Sequence, residues 1–237
     1  EDGDKIAVGI SGGKDSLTLL YALAHLRIFY PKKFELCAIT IDMGFEGADF
    51  SAVSALCEQL GVEYRIIPTQ ISKIIFDVRK ESNPCSLCAK MRRGAIHSSA
   101  VELGCNKVAL GHHFDDVVET FMLNLFFEGR LGCFRPVTYL SRTGITLIRP
   151  MIYMPEKDIR YFASKAELPI IKSPCPADGN TEREEMKQLI AKLDRENKGL
   201  RYRIFGAIQR GEIDGFKECG KMDGMKAYDN DVLPYEE

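Results

Sequence analysis

Short apolar runs alternate along the chain with longer stretches in which apolar residues recur at helical spacing. Residues 5–10 read KIAVGI, a β-branched run that predicts a buried strand. Leu17, Leu20, Leu23 and Ala24 predict a helix over 17–30, stopped by Pro31. The rhythm continues with a strand at 34–41, a helix at 50–60 closed by Gly61, and a strand at 62–67. A helix at 71–78 follows, and Asn83-Pro84 breaks the chain ahead of Cys85. Next come a helix at 87–103 ended by Gly104, a strand at 107–110 and a helix at 115–127. After a loop at 129–132, a strand at 146–148 ends at Arg149-Pro150. A helix at 156–166 has Pro155 in its first turn, a short strand lies at 170–171, and helices at 181–197 and 200–209 complete the pattern. No internal repeat is present.

This alternation predicts an α/β fold, with a mainly parallel sheet covered by helices on both faces. The expected division is a domain over 1–176 carrying the chemistry, and C-terminal helices with an acidic tail over 177–237 packed on it. The tail from 212 onward is polar and reads as loosely ordered.

Composition narrows the classes. With 237 residues and 45% apolar content the chain can bury a sizeable core. No run approaches the ~18 apolar residues of a membrane span, and the start lacks a basic-then-apolar leader pattern. A net charge of −2 gives no support for nucleic-acid binding from charge alone. Eight cysteines in such a chain point to reduced thiols and a cytoplasmic setting, where cysteines at short spacing suggest a metal.

Between the first strand and the first helix stands Ser11-Gly12-Gly13-Lys14-Asp15-Ser16. Glycines let the backbone approach an anion, free N–H groups at a helix start favour phosphate, and Lys14 adds a point charge. A plain Gly-rich turn is the competing reading, which the complete string SGGKDS outweighs. Neither the Walker pattern nor the dinucleotide fingerprint is present. The string resembles the PP-loop of adenylating ATP pyrophosphatases, which implies binding of the phosphates that leave as pyrophosphate. In that resemblance Ile41 and Asp42, at the end of the second strand, fall where the adenosine binds. A solvated strand-end residue is the other reading of Asp42.

Cys85 and Cys88 form a CxxC at a helix start, which favours thiolate. Cys175, between two prolines, is a third candidate ligand. Ordinary packing, a redox pair, and a zinc site completed by His97, His112 or His113 remain open at this point. Cys37, Cys57 and Cys105 lie in apolar or helical runs and read as core; Cys133 and Cys219 are uncommitted.

The motifs SGGKDS at 11–16, CSLCAKMRRG at 85–94 and GHHFDD at 111–116 occur in that order, followed by Ile148-Arg149-Pro150-Met151, Glu156-Lys157-Asp158-Ile159 and Cys175. Together they resemble the tRNA 2-thiocytidine synthetase family over about residues 5–210. The CxxC followed by Arg-Arg-Gly, with GHHFDD, is the specific part. The resemblance implies a Rossmann-like PP-loop (adenine nucleotide alpha hydrolase-like) fold, with ATP and Mg2+ activating the C2 oxygen of an anticodon-loop cytidine. It implies a [4Fe-4S] cluster held by Cys85, Cys88 and Cys175, with the fourth iron free to carry sulfide. It implies tRNA as substrate, a sulfur donor such as a cysteine desulfurase or free sulfide, and no membrane; a homodimer is compatible with it. One departure stands out: the family often has a second CxxC at its third cysteine, whereas Cys175-Pro176-Ala177-Asp178 has one.

Under this resemblance Lys14, Asp115 and Arg92 are the expected catalytic residues, and Gly111, His112 and Asp116 join the ATP site. Capping of a helix is the competing reading of Asp115 and Asp116, and a solvated helix face that of Arg92 and Arg93. His113 reads as structural, and Lys90, Arg130, Arg135, Arg142 and Arg149 as a basic rim. Met151 and Met154 read as core. A PP-loop enzyme with zinc and a non-catalytic nucleotide sensor are the rival functions, the second disfavoured by Lys14 and GHHFDD.

Overall fold

The computed structural model describes residues 1–79, 84–172, 174–176 and 181–217. The chain divides into two compact units, residues 1–116 with 136–181, and residues 117–135 with 182–237.

The first unit is built on a six-stranded sheet of β1 (Asp4–Gly9), β2 (Phe34–Asp42), β3 (Glu63–Pro68), β4 (Lys107–Ala109), β5 (Val137–Leu140) and β6 (Ile145–Ile148). The spatial order is β3-β2-β1-β4-β6-β5. All neighbours run parallel except β5, which returns antiparallel on β6. The chain builds outward from β1 to β3 and then crosses back to β4. The switch in direction falls between β1 and β4, where open α/β sheets form a ligand crevice at the carboxyl ends of the strands.

The pleat sorts the apolar strands onto two faces. Ile6, Val8, Leu36, Ala38 and Ala109 join one core with helices α1 (Lys14–Phe29), α2 (Ser51–Gln59) and α5 (Glu156–Lys165). Ala7, Cys37, Ile39 and Val108 join the opposite core with Ile96 and Ala100 of helix α3 (Pro84–Glu102). Both faces are covered, so the strands read as continuous apolar runs. Ser16, Leu17, Thr18, Leu19 and Leu20 are buried on successive positions of α1. Its first turns are therefore enclosed all round rather than along one stripe, and Leu20→Ala removes about 2–5 kcal/mol.

At the amino end of β1, Asp4 is 4% exposed and pairs with Lys107 at 2.5 Å, while Asn106 Nδ2 donates to it at 2.9 Å. Burial alone raises the carboxyl pKa, but the contacts with Lys107, the Glu1 ammonium and Asn106 together outweigh it and hold it well below the carboxylate range.

The second unit contains most of helix α4 (Phe114–Phe127), with α6 (Glu182–Glu196) and α7 (Leu200–Arg210). Arg183 of α6 reaches Glu119 at 3.4 Å and Thr120 at 3.0 Å on α4.

Several expectations are corrected. The strand β5 was not predicted; it is an edge strand whose Val137 and Tyr139 stay exposed, so no apolar run marks it. Residues 170–171 form no strand: Ile171 N–H donates instead to Gly12 O at 2.9 Å. Over Lys73–Val78 the predicted helix is a π-helical turn. Pro155 is the N-cap of α5, with an extended backbone, not its first helical residue. Met154 is 42% exposed, whereas Met151 is core. The tail from 212 does not begin loose, because Phe216 is buried and packs edge-on against Phe205 at 5.6 Å. Residues 218–237, with Cys219, lie outside the described residues.

Candidate active site

The loop after β1 is tied to itself. Ser16 Oγ donates to Gly13 O at 2.9 Å and accepts from Ser11 N–H at 3.2 Å, with Ser11 Oγ also 3.2 Å away. Gly12 has φ +82°, which a side chain resists. Gly13 caps α1 without a side-chain hydrogen bond, which leaves the first-turn N–H groups for an anion. Gly111 lies against this turn: a Cβ there stands 3.0 Å from the Asp15 carbonyl carbon and 3.1 Å from Ser16 N. Only glycine lets the segment after β4 approach the loop this closely.

Lys14 Nζ is 3.1 Å from Asp15 Oδ2 and 3.0 Å from Glu156 Oε1. Burial pulls its pKa down, but the two carboxylates outweigh this and raise it, so the ammonium is fixed. Glu156 is 7% exposed and also meets Arg160 at 3.2 Å. Its backbone N–H donates to Asp115 Oδ2 at 2.7 Å. Asp115 is buried and thereby holds the amino end of α5. Asp116 Oδ2 accepts the His113 N–H at 2.9 Å. The buried His113 ring places Nε2 3.7 Å from Asp15 Oδ1, an oxygen that has no hydrogen-bond partner among the described residues. His112 Nδ1 accepts from Arg149 Nε at 3.2 Å.

A second concavity of about 200 Å³ opens in the same unit. Cys85 and Cys88, in the first turn of α3, line it together with Cys175, which arrives from a segment 87 residues beyond Cys88. Met43 and Phe45 after β2, Ile75 and Phe76 of the π-helical turn, and Arg92 are among the other residues of its wall. Burial pushes the Cys88 thiol pKa up, the Arg92 guanidinium opposes this, and Cys175 and Cys85 reinforce it. Among the described residues no three His, Cys, Asp or Glu side chains stand as a ready single-ion site. None of His97, His112 and His113 lines the cavity. A wall of three thiols with no imidazole fits a polynuclear cluster with soft ligands better than a closed zinc site.

Residues 1–193 match the PP-loop domain family. The chain is 40% identical over 210 residues to the tRNA-cytidine(32) 2-sulfurtransferase of Geobacter sulfurreducens, spanning 87% of this chain and 82% of that one. To the same-named protein of Syntrophotalea carbinolica it is 42% identical over 211 residues, spanning 88% and 82%. The chain belongs to the tRNA 2-thiocytidine synthetase family of PP-loop proteins. Among solved structures it is similar to the U34-tRNA thiolase NcsA of Methanococcus maripaludis with its [4Fe-4S] cluster. That match has a TM-score of 0.75 and 31% identity, over 93% of this chain and 75% of that chain.

Against the expectations for this PP-loop family, the loop residues 11–16 and Gly111 come together, and the three cysteines share one cavity with Arg92. Asp42 turns its carboxylate to the Gly44 N–H at 2.9 Å and so shapes the turn into the cavity wall; Ile41, beside it, is half-buried. Arg93 Nε donates to Ala89 O of its own helix, while Arg130 and Arg135 meet Glu128 and Asp214 within the second unit. Glu156 was given no role in the loop's surroundings, whereas His113, read as structural, is buried against Asp15 and Asp116. The usable signal for Glu156 was an acid directly after a proline cap, on the buried face of its helix.

Proposed function

We propose that the protein is a cytoplasmic, ATP-dependent tRNA sulfurtransferase that thiolates a cytidine of the anticodon loop, position 32 by analogy with its relatives. Two observations combine: an anion cradle at the switch point of the sheet, and three cysteines from remote segments lining one cavity of the same unit. The second carries the thiolation reading, because three thiols lining one cavity suit the holding of a soft, sulfide-carrying metal group.

In this reading the N–H groups after Gly13, with Lys14, bind the β- and γ-phosphates. Ser11 and Ser16 fix the loop, and Ile41, Asp42, Gly111 and His112 border the nucleotide. Asp15 and Asp116 offer carboxylate oxygens to Mg2+, a fit supported by Asp15 Oδ1, which has no hydrogen-bond partner among the described residues. The C2 oxygen of the base attacks the α-phosphorus and pyrophosphate leaves; sulfide then adds to C2, the C2–O bond breaks and AMP leaves. Cys85, Cys88 and Cys175 would hold a [4Fe-4S] cluster, which supplies a carrier for that sulfur. Arg92, beside Cys88, meets negative charge at the cavity mouth. Asp115 acts by position, through the amino end of α5.

The test is iron and acid-labile sulfide on anaerobically purified protein, followed by a thiolation assay with unmodified tRNA, ATP, Mg2+ and sulfide. Stoichiometric cluster and ATP-dependent 2-thiocytidine support the reading. Zinc without sulfide, even after anaerobic reconstitution, sinks the sulfur chemistry and leaves the adenylating loop standing.

A further inference from the structure

We propose that Glu156 is a positioning residue for adenylation: from outside the phosphate loop, it presents the Lys14 ammonium to the incoming phosphates. The inference rests on the reading that Lys14 meets the nucleotide.

Glu156 is separated from Lys14 by 142 positions, yet its Oε1 stands 3.0 Å from Lys14 Nζ. A Lys side chain has four rotatable bonds and is costly to immobilise. Left to local contacts, Lys14 pairs with its neighbour Asp15 at 3.1 Å. The second carboxylate, on another element, fixes the direction of the side chain by two anchors at once. Those anchors use two of the three ammonium hydrogens and leave the third for a phosphate oxygen.

The second anchor is itself rigid. Glu156 is buried at the first position of α5, with its backbone N–H held by the buried Asp115 carboxylate at 2.7 Å. Arg160, one turn on, balances the same carboxylate at 3.2 Å. The fixed Pro155 φ of −63° sets the direction from which the helix starts. The segment after β4 therefore acts on the phosphate loop twice. Gly111 touches it directly, and Asp115 reaches Lys14 through Glu156. Burying a carboxylate is expensive unless its partners repay it, which explains why a helix start on the core face carries an acid at all.

The experiment is a double-mutant cycle on ATP binding, with adenosine binding as the local control. It uses the full chain as wild type, Glu156→Gln, Lys14→Met and the double variant. Glu156→Gln keeps volume and removes the charge. In the Lys14 background it is expected to weaken ATP binding about tenfold or more. In the Lys14→Met background the same change is expected to act less than about twofold. Adenosine affinity and iron content stay unchanged in all four proteins. Equal effects in both backgrounds, or a parallel loss of adenosine binding, overturn the proposal in favour of a merely structural α5. Tightening confined to the Lys14 background overturns its sign, because Glu156 then withholds Lys14. Should Glu156→Gln not fold, Glu156→Asp keeps the charge on a shorter arm and must show the same dependence on Lys14. Failure of the wild type to bind ATP is a different result, which removes the nucleotide reading itself.

Discussion

The phosphate loop and the cysteine cavity belong to the same unit but are built in opposite ways. The loop closes on itself over six consecutive residues, with Ser11, Gly13 and Ser16 bonded to one another. The groups it offers an anion are backbone N–H groups, present wherever that turn forms. The cavity takes its wall from the turn after β2, a π-helical turn, the first turn of α3 and a proline-flanked cysteine far along the chain. A locally closed site keeps its shape when its surroundings shift, whereas an assembled one depends on every segment that reaches it. The two regions are therefore separable by mutation.

The largest separation is expected from Cys85→Ala. It removes essentially all iron and labile sulfide while ATP affinity stays within about twofold of wild type; metal analysis beside a nucleotide titration reads both. Joint loss of the two activities breaks the comparison. Lys14→Ala is the converse. Pyrophosphate release is expected to fall about 10²–10³-fold, the range for losing one electrostatic contact to developing charge. Iron content and visible spectrum stay unchanged. Gly111→Ala sharpens the contrast within the loop. The new methyl meets Asp15 and Ser16 backbone at 3.0–3.1 Å, so the turn must give. About tenfold weaker ATP binding is expected, with the cluster intact.

The smallest effect on either region is expected from Asp4→Asn, because Asp4 lies at the amino end of β1, away from both. Its depressed pKa means that the carboxylate contributes stability above the ordinary value near 3.9, and that this is lost as pH falls below it. Denaturant titration at pH 7 should show a loss of about 1.5–3 kcal/mol, the range for hydrogen bonds to charged groups. The difference from wild type should shrink progressively below about pH 4. A difference that persists undiminished at pH 3 removes the Asp4–Lys107 pair as its cause.

How far each region was legible follows from the same contrast. SGGKDS could be read because its meaning is local: a strand, a turn needing glycine, and a helix start. The strands β1 and β2 were legible because burial on both faces forces apolar runs. β5 was not, since its four residues are too few and too exposed to leave a buried apolar run. The three cysteines could be named, but a spacing of 87 residues between Cys88 and Cys175 says nothing of proximity. The segment 170–171 read as a strand because its isoleucines suit one, yet its N–H is claimed by Gly12 O.

By itself the sequence determined the alternating α/β order, the phosphate loop and the set of candidate thiols. These follow from periodicity and from residue chemistry at short range. Only the tertiary structure decided that Cys175 joins Cys85 and Cys88 at one cavity, that Asp115 holds α5, and that Glu156 meets Lys14. Each is a contact between residues far apart in the chain. Such a contact is fixed by how helices pack on the twisted sheet, a sum of many small burial terms that no short motif records.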